Sequence, residues 1–316
     1  MSIRLDDAVN VLRAAGEPSR LRIVALLANE ELAVMELCQI MDQSQPRVSR
    51  HLRLLTASGL VERFPDGGWV FYRLAAEPAR RAILDRILST VDEHDPLLAR
   101  DRDHLTAVRA ERASAAEAYF ARNAPRWDQL RSLYVSDSDV EAAILEAAPP
   151  GPIDRLIDLG TGAGRMLTLL APRSRTALGL DLSQQMLNIA RVRVTEAGLE
   201  HCELRHGDIF ATGLPDGSAD LVVVHQVLHY LGDPAAAVTE AGRLVARGGR
   251  LLIIDFAPHH LEYLREAHQH RRLGFPDEEI ARWIAAAGLK RPKAITLPAK
   301  NAEGLTVKIW AADRKA

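Results

Sequence analysis

Apolar positions follow two rhythms along this chain, and the change from one to the other divides it. Over most of the first 120 residues they recur every three or four positions, the period of an amphipathic helix. Ile3, Ala8, Val9 and Leu12 mark a first helix closed by Gly16. Pro18 opens a second, with Leu21, Ile23, Val24, Leu26 and Leu27 as its apolar positions. A short third helix is predicted over 34–41, a turn at Asp42-Gln43-Ser44, and a fourth helix over 45–57 that buries Val48, Leu52 and Leu55. Ser44 can cap this helix, whose first turn tolerates Pro46. Gly59 ends it, and β-rich runs at 60–64 and 69–74 flank Pro65-Asp66-Gly67-Gly68, a hairpin signal. After Pro78 the helical period returns. Ile83, Leu84, Ile87, Leu88 and Val91 form a stripe opposite Arg80, Arg81, Asp85 and Arg86, and a further helix runs from 97 to about 121.

From residue 154 the rhythm changes to short apolar runs separated by helical stretches. Strands are predicted at 154–159, 176–181, 203–206, 219–225, 249–255, 289–297 and 305–313, with helices at 183–197, 234–245 and 276–287. Such alternation specifies a doubly wound parallel sheet. The expected organisation is a helical and hairpin domain over 1–78, a helical connector over 79–118 that could form a dimer contact, and an α/β domain over 119–316.

The polar positions add chemistry to both parts. On the fourth helix the face opposite Val48, Leu52 and Leu55 carries Pro46, Ser49, Arg50 and Arg53, and residues 45–58 hold three arginines and no acid. Helix, turn, basic helix and hairpin in this order describe a winged helix-turn-helix, whose second helix enters the DNA major groove. Arg50 and Arg53 are then expected to dominate binding, with Gln45 and Ser49 at base edges and Arg47 on phosphate. Net charge is −2, so attraction to DNA must come from this local patch.

In the α/β part, Asp154-Arg-Leu-Ile-Asp158-Leu-Gly160-Thr-Gly162-Ala-Gly164 places a glycine-rich turn between a strand and a helix, where the backbone can approach a ligand closely. Asp181, at the end of the next strand, can accept both hydroxyls of a ribose. A dinucleotide fingerprint needs Gly or Ala three residues after its second glycine, where Arg165 stands. Asp158 would face a cationic amino-acid tail and would repel a pyrophosphate. The combination favours S-adenosylmethionine (SAM) over NAD as the cofactor.

Two cysteines, Cys38 and Cys202, are too few for a disulfide framework or a multi-cysteine metal site. No apolar run approaches 18 residues and the N-terminus lacks a signal-peptide pattern, so a soluble, cytoplasmic protein is expected.

Residues 16–27, Gly-Glu-Pro-Ser-Arg-Leu-Arg-Ile-Val-Ala-Leu-Leu, and 45–52, Gln-Pro-Arg-Val-Ser-Arg-His-Leu, resemble the opening signature and recognition helix of arsenic-repressor-type (ArsR/SmtB) regulators. The resemblance implies a homodimer on a double-stranded operator. It does not extend to the family's metal sites. After Cys38 the second thiol position is Ile40, and of the C-terminal-helix ligands only Asp92 and His94 fit, with His104 out of register and Ala107 in the last position. No metal is expected. Residues 119–316 resemble class I SAM-dependent methyltransferases, which implies a Rossmann-like sheet. In that family Asp208 and Ile209 would hold the adenine, Met186 would pack its face, and Leu182 and His225 would line the cofactor. The segment 119–128, Tyr-Phe-Ala-Arg-Asn-Ala-Pro-Arg-Trp-Asp, resembles the N-terminal lid of small-molecule methyltransferases.

Methyl transfer needs mainly alignment and exclusion of water, so a general base is optional. Candidates near strand ends are His225, His229 and Asp255. The paired histidines His259-His260 and His268-Gln269-His270 lack a helical metal-binding spacing and are expected in loops or at the surface. Two functional readings stay open: a DNA-binding regulator carrying an active small-molecule methyltransferase, and a regulator whose second domain only senses SAM or S-adenosylhomocysteine. A nucleic-acid methyltransferase is disfavoured, because His225-Gln226-Val227-Leu228 stands where an Asn/Asp-Pro-Pro-Tyr motif would be.

Overall fold

The structure, a computed structural model, describes residues 4–28, 30–66, 69–75, 77–92, 94–123, 137–299 and 304–316. The chain divides into two compact units, Met1–Ser114 and Ala115–Ala316.

In the first unit α1 (Leu5–Ala15), α2 (Pro18–Leu27), α3 (Val34–Met41) and α4 (Gln45–Ala57) surround one core. Glu17 caps α2 by accepting the Arg20 N–H at 2.9 Å, and Pro18 fills its first turn, where no intrahelical N–H is needed. Asp42 ends α3 in the left-handed conformation, φ 54°. The Ser44 carbonyl accepts from Arg47 and Val48, but its side chain makes no capping bond. The expected Ser44 cap is therefore positional only.

The hairpin strands β2 (Val61–Asp66) and β3 (Trp69–Leu74) pair antiparallel, with Phe64 opposite Phe71. A two-residue strand, β1 (Leu32–Ala33), adds to the other side of β3. Its brevity leaves no period for a sequence pattern to show. The hairpin glycines Gly67 and Gly68 lie outside the described residues.

Helices α5 (Pro78–Leu88) and α6 (Pro96–Asn123) occupy the stretch expected as a helical connector, 79–118, and pack on the first unit. Leu84, Leu105 and Val108 are buried in the first unit's core. Arg22 of α2 also grips Asp101 of α6 in a two-pronged ion pair, Nε–Oδ2 2.6 Å and Nη2–Oδ1 2.5 Å, with Asp101 only 2% exposed. The apolar stripe was visible in sequence. The Arg22–Asp101 pair, 79 residues apart, was not.

The second unit is a seven-stranded sheet. Its strands are β4 (Ile153–Leu159), β5 (Ser174–Asp181), β6 (Cys202–His206), β7 (Ala219–His225), β8 (Val245–Phe256), β9 (Lys293–Leu297) and β10 (Val307–Asp313), in the spatial order β6-β5-β4-β7-β8-β10-β9. The first five run parallel, and β10 is antiparallel to both its neighbours. Both faces are covered, as a parallel sheet requires. Ile157, Leu159, Val222, Val224, Leu251 and Ile253 enter one core, on the side of α10 (Pro234–Leu244) and α12 (Asp277–Ala286). Leu156, Leu221, Val223, Leu252 and Ile254 enter the other, with α7 (Asp137–Ala147) and α8 (Arg165–Leu170). Helix α9 (Gln184–Glu196) follows β5, and α11 (Tyr263–His268) lies in the long connection after β8. Strand order reverses between β4 and β7, which creates the crevice where ligands of such sheets bind.

Candidate cofactor site and nucleic-acid interface

The α4 helix sorts its residues by face. Val48, Leu52 and Leu55 are fully buried, while Gln45, Arg47, Arg50 and Arg53 are exposed and Ser49 is half-buried. Three buried anchors at spacings of four and three fix the helix rotation, so the arginines are held in solvent on one side. His51 turns inward towards Glu17 at the start of α2, Nδ1–Oε2 3.5 Å, and burial holds its pKa below the ordinary value. The five candidate DNA-contacting residues thus share one helix, four of them exposed. A basic face of this width can track phosphates and reach base edges.

In the second unit the candidate cofactor residues gather at the carboxyl ends of four adjacent strands. Strand β4 ends at Leu159, and the N–H groups of Gly160 and Thr161 both donate to the Leu180 carbonyl of β5, at 2.8 and 3.0 Å. Gly160 adopts φ 72°, and a Cβ there would stand 2.4 Å from Cγ2 of Val227, closer than atoms can pack. Gly162, φ 53°, lies over Met186, whose methyl would meet an added Cβ at 3.3 Å. The turn is a backbone cradle that side chains would fill. Met186 itself is buried with Ala163, while Leu182 is half exposed.

Two carboxyl groups flank this turn, and they are supported unequally. Asp181 closes β5. Its Oδ2 accepts the Gly162 N–H at 2.7 Å and its Oδ1 the Ser183 N–H at 2.8 Å. Burial pushes its pKa up, while these two backbone donors and His206 pull it down. Asp158, only 1% exposed, receives a single hydrogen bond, from the Thr161 hydroxyl to Oδ2 at 2.6 Å; its Oδ1 has no partner. Burial raises the Asp158 carboxyl to about 7, the Thr161 bond opposing and the Asp181 charge adding to the rise.

Beyond β6, Asp208 is exposed and its Oδ1 accepts the Phe210 N–H at 2.9 Å, while Ile209 is buried. His225 closes β7, paired with Ile254 of β8. The next residue, Gln226, is held at φ 53° with its N–H donating to the Ile254 carbonyl at 2.7 Å. A non-glycine residue in the left-handed region costs of order 1–3 kcal/mol and collects at functional sites. Nothing in the sequence distinguished Gln226.

The structure also brings together two residues that sequence proposed separately. His229 Nδ1 donates to Asp255 Oδ1 at 2.7 Å, an oxygen that also accepts the Phe256 N–H at 2.8 Å. Both side chains are buried. His270, expected in a loop or at the surface, lies in a loop but is only 6% exposed, its ring packed at a tilt of 35° against His229 with centroids 4.2 Å apart. The N–H groups of Arg271 and Arg272 fix the His229 carbonyl at 2.8 and 3.0 Å. Burial drives the His270 pKa well below the ordinary imidazole range, so this ring is neutral. Thr161 and His270 thus contact candidate site residues, Asp158 and His229, and sequence reading had singled out neither for that role. Thr161 sits inside the glycine motif and was open to detection; His270 depends on a contact across 41 residues.

Of the lid-like segment 119–128, residues 124–128 lie outside the described residues, and for 119–123 only the helical backbone is described.

Comparison with known proteins fits this geometry. Residues 17–63 match the family model of bacterial regulatory proteins of the arsR family, and residues 157–253 that of a methyltransferase domain. The arsenical resistance operon repressor of Escherichia coli is 46% identical over 68 residues, covering 21% of this chain and 58% of that protein. The demethylmenaquinone methyltransferase of Thermus thermophilus is 33% identical over 147 residues, covering 44% of this chain and 64% of that protein. The matches span about half to two thirds of the length of such curated relatives. Among solved structures, a chain of the complex between the Haloferax volcanii Trm112 methyltransferase activator and its partner methyltransferase superimposes with a TM-score of 0.51 at 19% identity. That match covers 62% of this chain and 98% of the other. The fold and the matches together define a class: an arsR-type DNA-binding regulator domain joined in one chain to a methyltransferase domain with a Rossmann-like sheet. Among the described residues no helix is long and apolar enough to cross a membrane.

Proposed function

We propose that the protein is a DNA-binding transcriptional regulator whose second unit binds SAM and methylates a small molecule. The observation that carries the cofactor reading is the pair of unequal carboxyl groups around a glycine-rich turn. Asp181 is preset by two backbone donors to accept a ribose, and the unpartnered Oδ1 of Asp158 suits a cationic amino-acid tail. The Gly160–Gly164 backbone, Leu182, Met186, Asp208, Ile209 and His225 complete the set on adjacent strand ends. SAM supplies an electrophilic methyl group on a sulfonium. The residues of this chain hold and align it, and the buried surroundings of His229 and Asp255 keep water away. Asp255 fixes the His229 ring with its proton on Nδ1, which leaves Nε2 to receive a proton from an acceptor.

In the first unit, α4 enters the major groove and the β2–β3 hairpin serves as the wing. A homodimer would place two such helices on the half-sites of a palindromic operator. Calorimetric titration of the full chain with SAM tests the cofactor reading, and selection of duplexes from a random-sequence pool tests the DNA reading. Saturable SAM binding that Asp181→Ala weakens, together with enrichment of a discrete sequence, supports the proposal. No enrichment, or SAM binding indifferent to Asp181, contradicts it.

A further inference from the structure

The cofactor site holds a buried carboxyl group, Asp158, and a half-buried one, Asp181, close enough to feel one another, and the backbone treats them differently. Asp181 has two N–H donors fixed by the Gly162 and Ser183 peptides, so its negative charge is solvated from within the protein. Asp158 has one hydroxyl donor and an oxygen that meets none, at 1% exposure. Two carboxylates in one buried site cannot both ionise cheaply, and the proton resides on the member with fewer donors. The charged group facing Asp158 is Asp181 of β5; Thr161 of the glycine turn is its neutral partner, and His206 of β6 faces Asp181 in turn. From this asymmetry we infer that ligand binding at this site is proton-coupled: the ammonium of the cofactor's amino-acid tail takes the place of the proton on the Asp158 carboxyl. The inference rests on the cofactor reading above.

The exchange balances simply. The O–H bond of the protonated Asp158 carboxyl breaks, its proton passes to solvent, and the carboxylate left behind accepts an N–H from the ligand's ammonium. No electron pair changes owner beyond that. The carboxyl's value of about 7 sets the window. A cation lowers that value on binding, so the proton is released where the free site holds one, at and below neutral pH. By linkage, affinity is highest above pH 7 and declines as pH falls. The ligand's own ammonium is mostly protonated at pH 6 and 7, because α-amino groups titrate near 7.7–8.0, and affinity falls again above that range. The device makes the second unit's occupancy respond to proton concentration in the neutral range while leaving the adenine and ribose contacts unchanged.

Two probes separate the amino-acid tail from the nucleoside: S-adenosylhomocysteine, which carries the ammonium, and 5′-methylthioadenosine, which lacks the tail. The full chain is titrated calorimetrically with each, at pH 6 and 7, in two buffers of different ionisation enthalpy. For S-adenosylhomocysteine, release approaching one proton is expected as pH falls below the carboxyl's value, more at pH 6 than at pH 7, with affinity dropping by up to about tenfold per pH unit below it. For 5′-methylthioadenosine none is expected. Asp158→Asn should bind S-adenosylhomocysteine more weakly, with no proton release and a flat pH profile. Binding of S-adenosylhomocysteine without proton release at pH 6 overturns the inference and leaves the cofactor reading standing. Equal release with both probes also overturns it, since the proton would then come from elsewhere. If neither nucleoside binds, the cofactor reading fails and takes the inference with it.

Discussion

The two units present opposite charges in opposite ways. On α4 three arginines stand in solvent on the helix surface; at the ends of β4 and β5 one carboxyl group is buried and a second half-buried, both held by donors from neighbouring turns. Exposed cations suit a partner that is itself a long, charged rod, because they need reach and tolerance of register, and their effect is screened by salt. Buried anions suit one small ligand, because desolvation makes every misplaced donor costly. Each unit's chemistry is therefore specialised, and a mutation in one should be silent in the other when the mutated unit's own ligand is absent.

The largest effect is expected from Gly160→Val. Its side chain would collide with Val227 and force a branched residue into φ 72°. Strain and overpacking of this kind cost about 1–3 kcal/mol each. SAM binding should disappear in calorimetry, while duplex binding by gel shift stays at the wild-type level. Loss of both would show that the units do not stand apart.

Asp181→Ala removes a charged acceptor, which is worth about 1.5–3 kcal/mol. SAM affinity should drop at least tenfold with duplex affinity unchanged. The mirror experiment is Arg50→Ala, expected to lower duplex affinity by about 1–3 kcal/mol if the side chain reads a base. If Arg50 instead contacts phosphate, the slope of affinity against salt should fall by about one. Arg53→Ala should behave alike, and neither should alter SAM affinity.

The smallest effect concerns His270. Its pKa is depressed in the folded state, so its contribution to stability is complete above its unfolded value near 6.5 and is lost as pH falls below that. The slope can be no steeper than about 1.4 kcal/mol per pH unit for one proton. Denaturant midpoints at pH 7.5 and 5.5 should differ in the wild type, and His270→Phe should narrow the gap.

How much of this was legible in the sequence follows from the range of each signal. The glycine turn, Asp181 and the basic face of α4 are local patterns, and the parallel strands read directly because both their faces are buried, as the alternating cores of Ile157 and Leu156 show. The β9 strand begins at Lys293 rather than at 289, where edge position leaves little burial to mark its start. Contacts closed by tertiary folding were not legible. The Arg22–Asp101 pair, the packing of His270 against His229 and the left-handed Gln226 each depend on segments brought together from 28 or more residues apart. The unequal support of Asp158 and Asp181 belongs to the same class, because its donors are backbone groups that carry no sequence signature.

The central claim, that one chain reads both an operator and a SAM-type cofactor, is tested most directly by titrating SAM into the full protein with and without a duplex it has selected. The account predicts saturable SAM binding that survives in the complex, with an affinity shifted by a coupling of about 1–3 kcal/mol, or 5–150-fold. Linkage requires SAM to shift duplex affinity by the same factor. Identical SAM affinities with and without duplex would reduce the two units to tethered neighbours. Absence of any SAM binding in either titration would contradict the account.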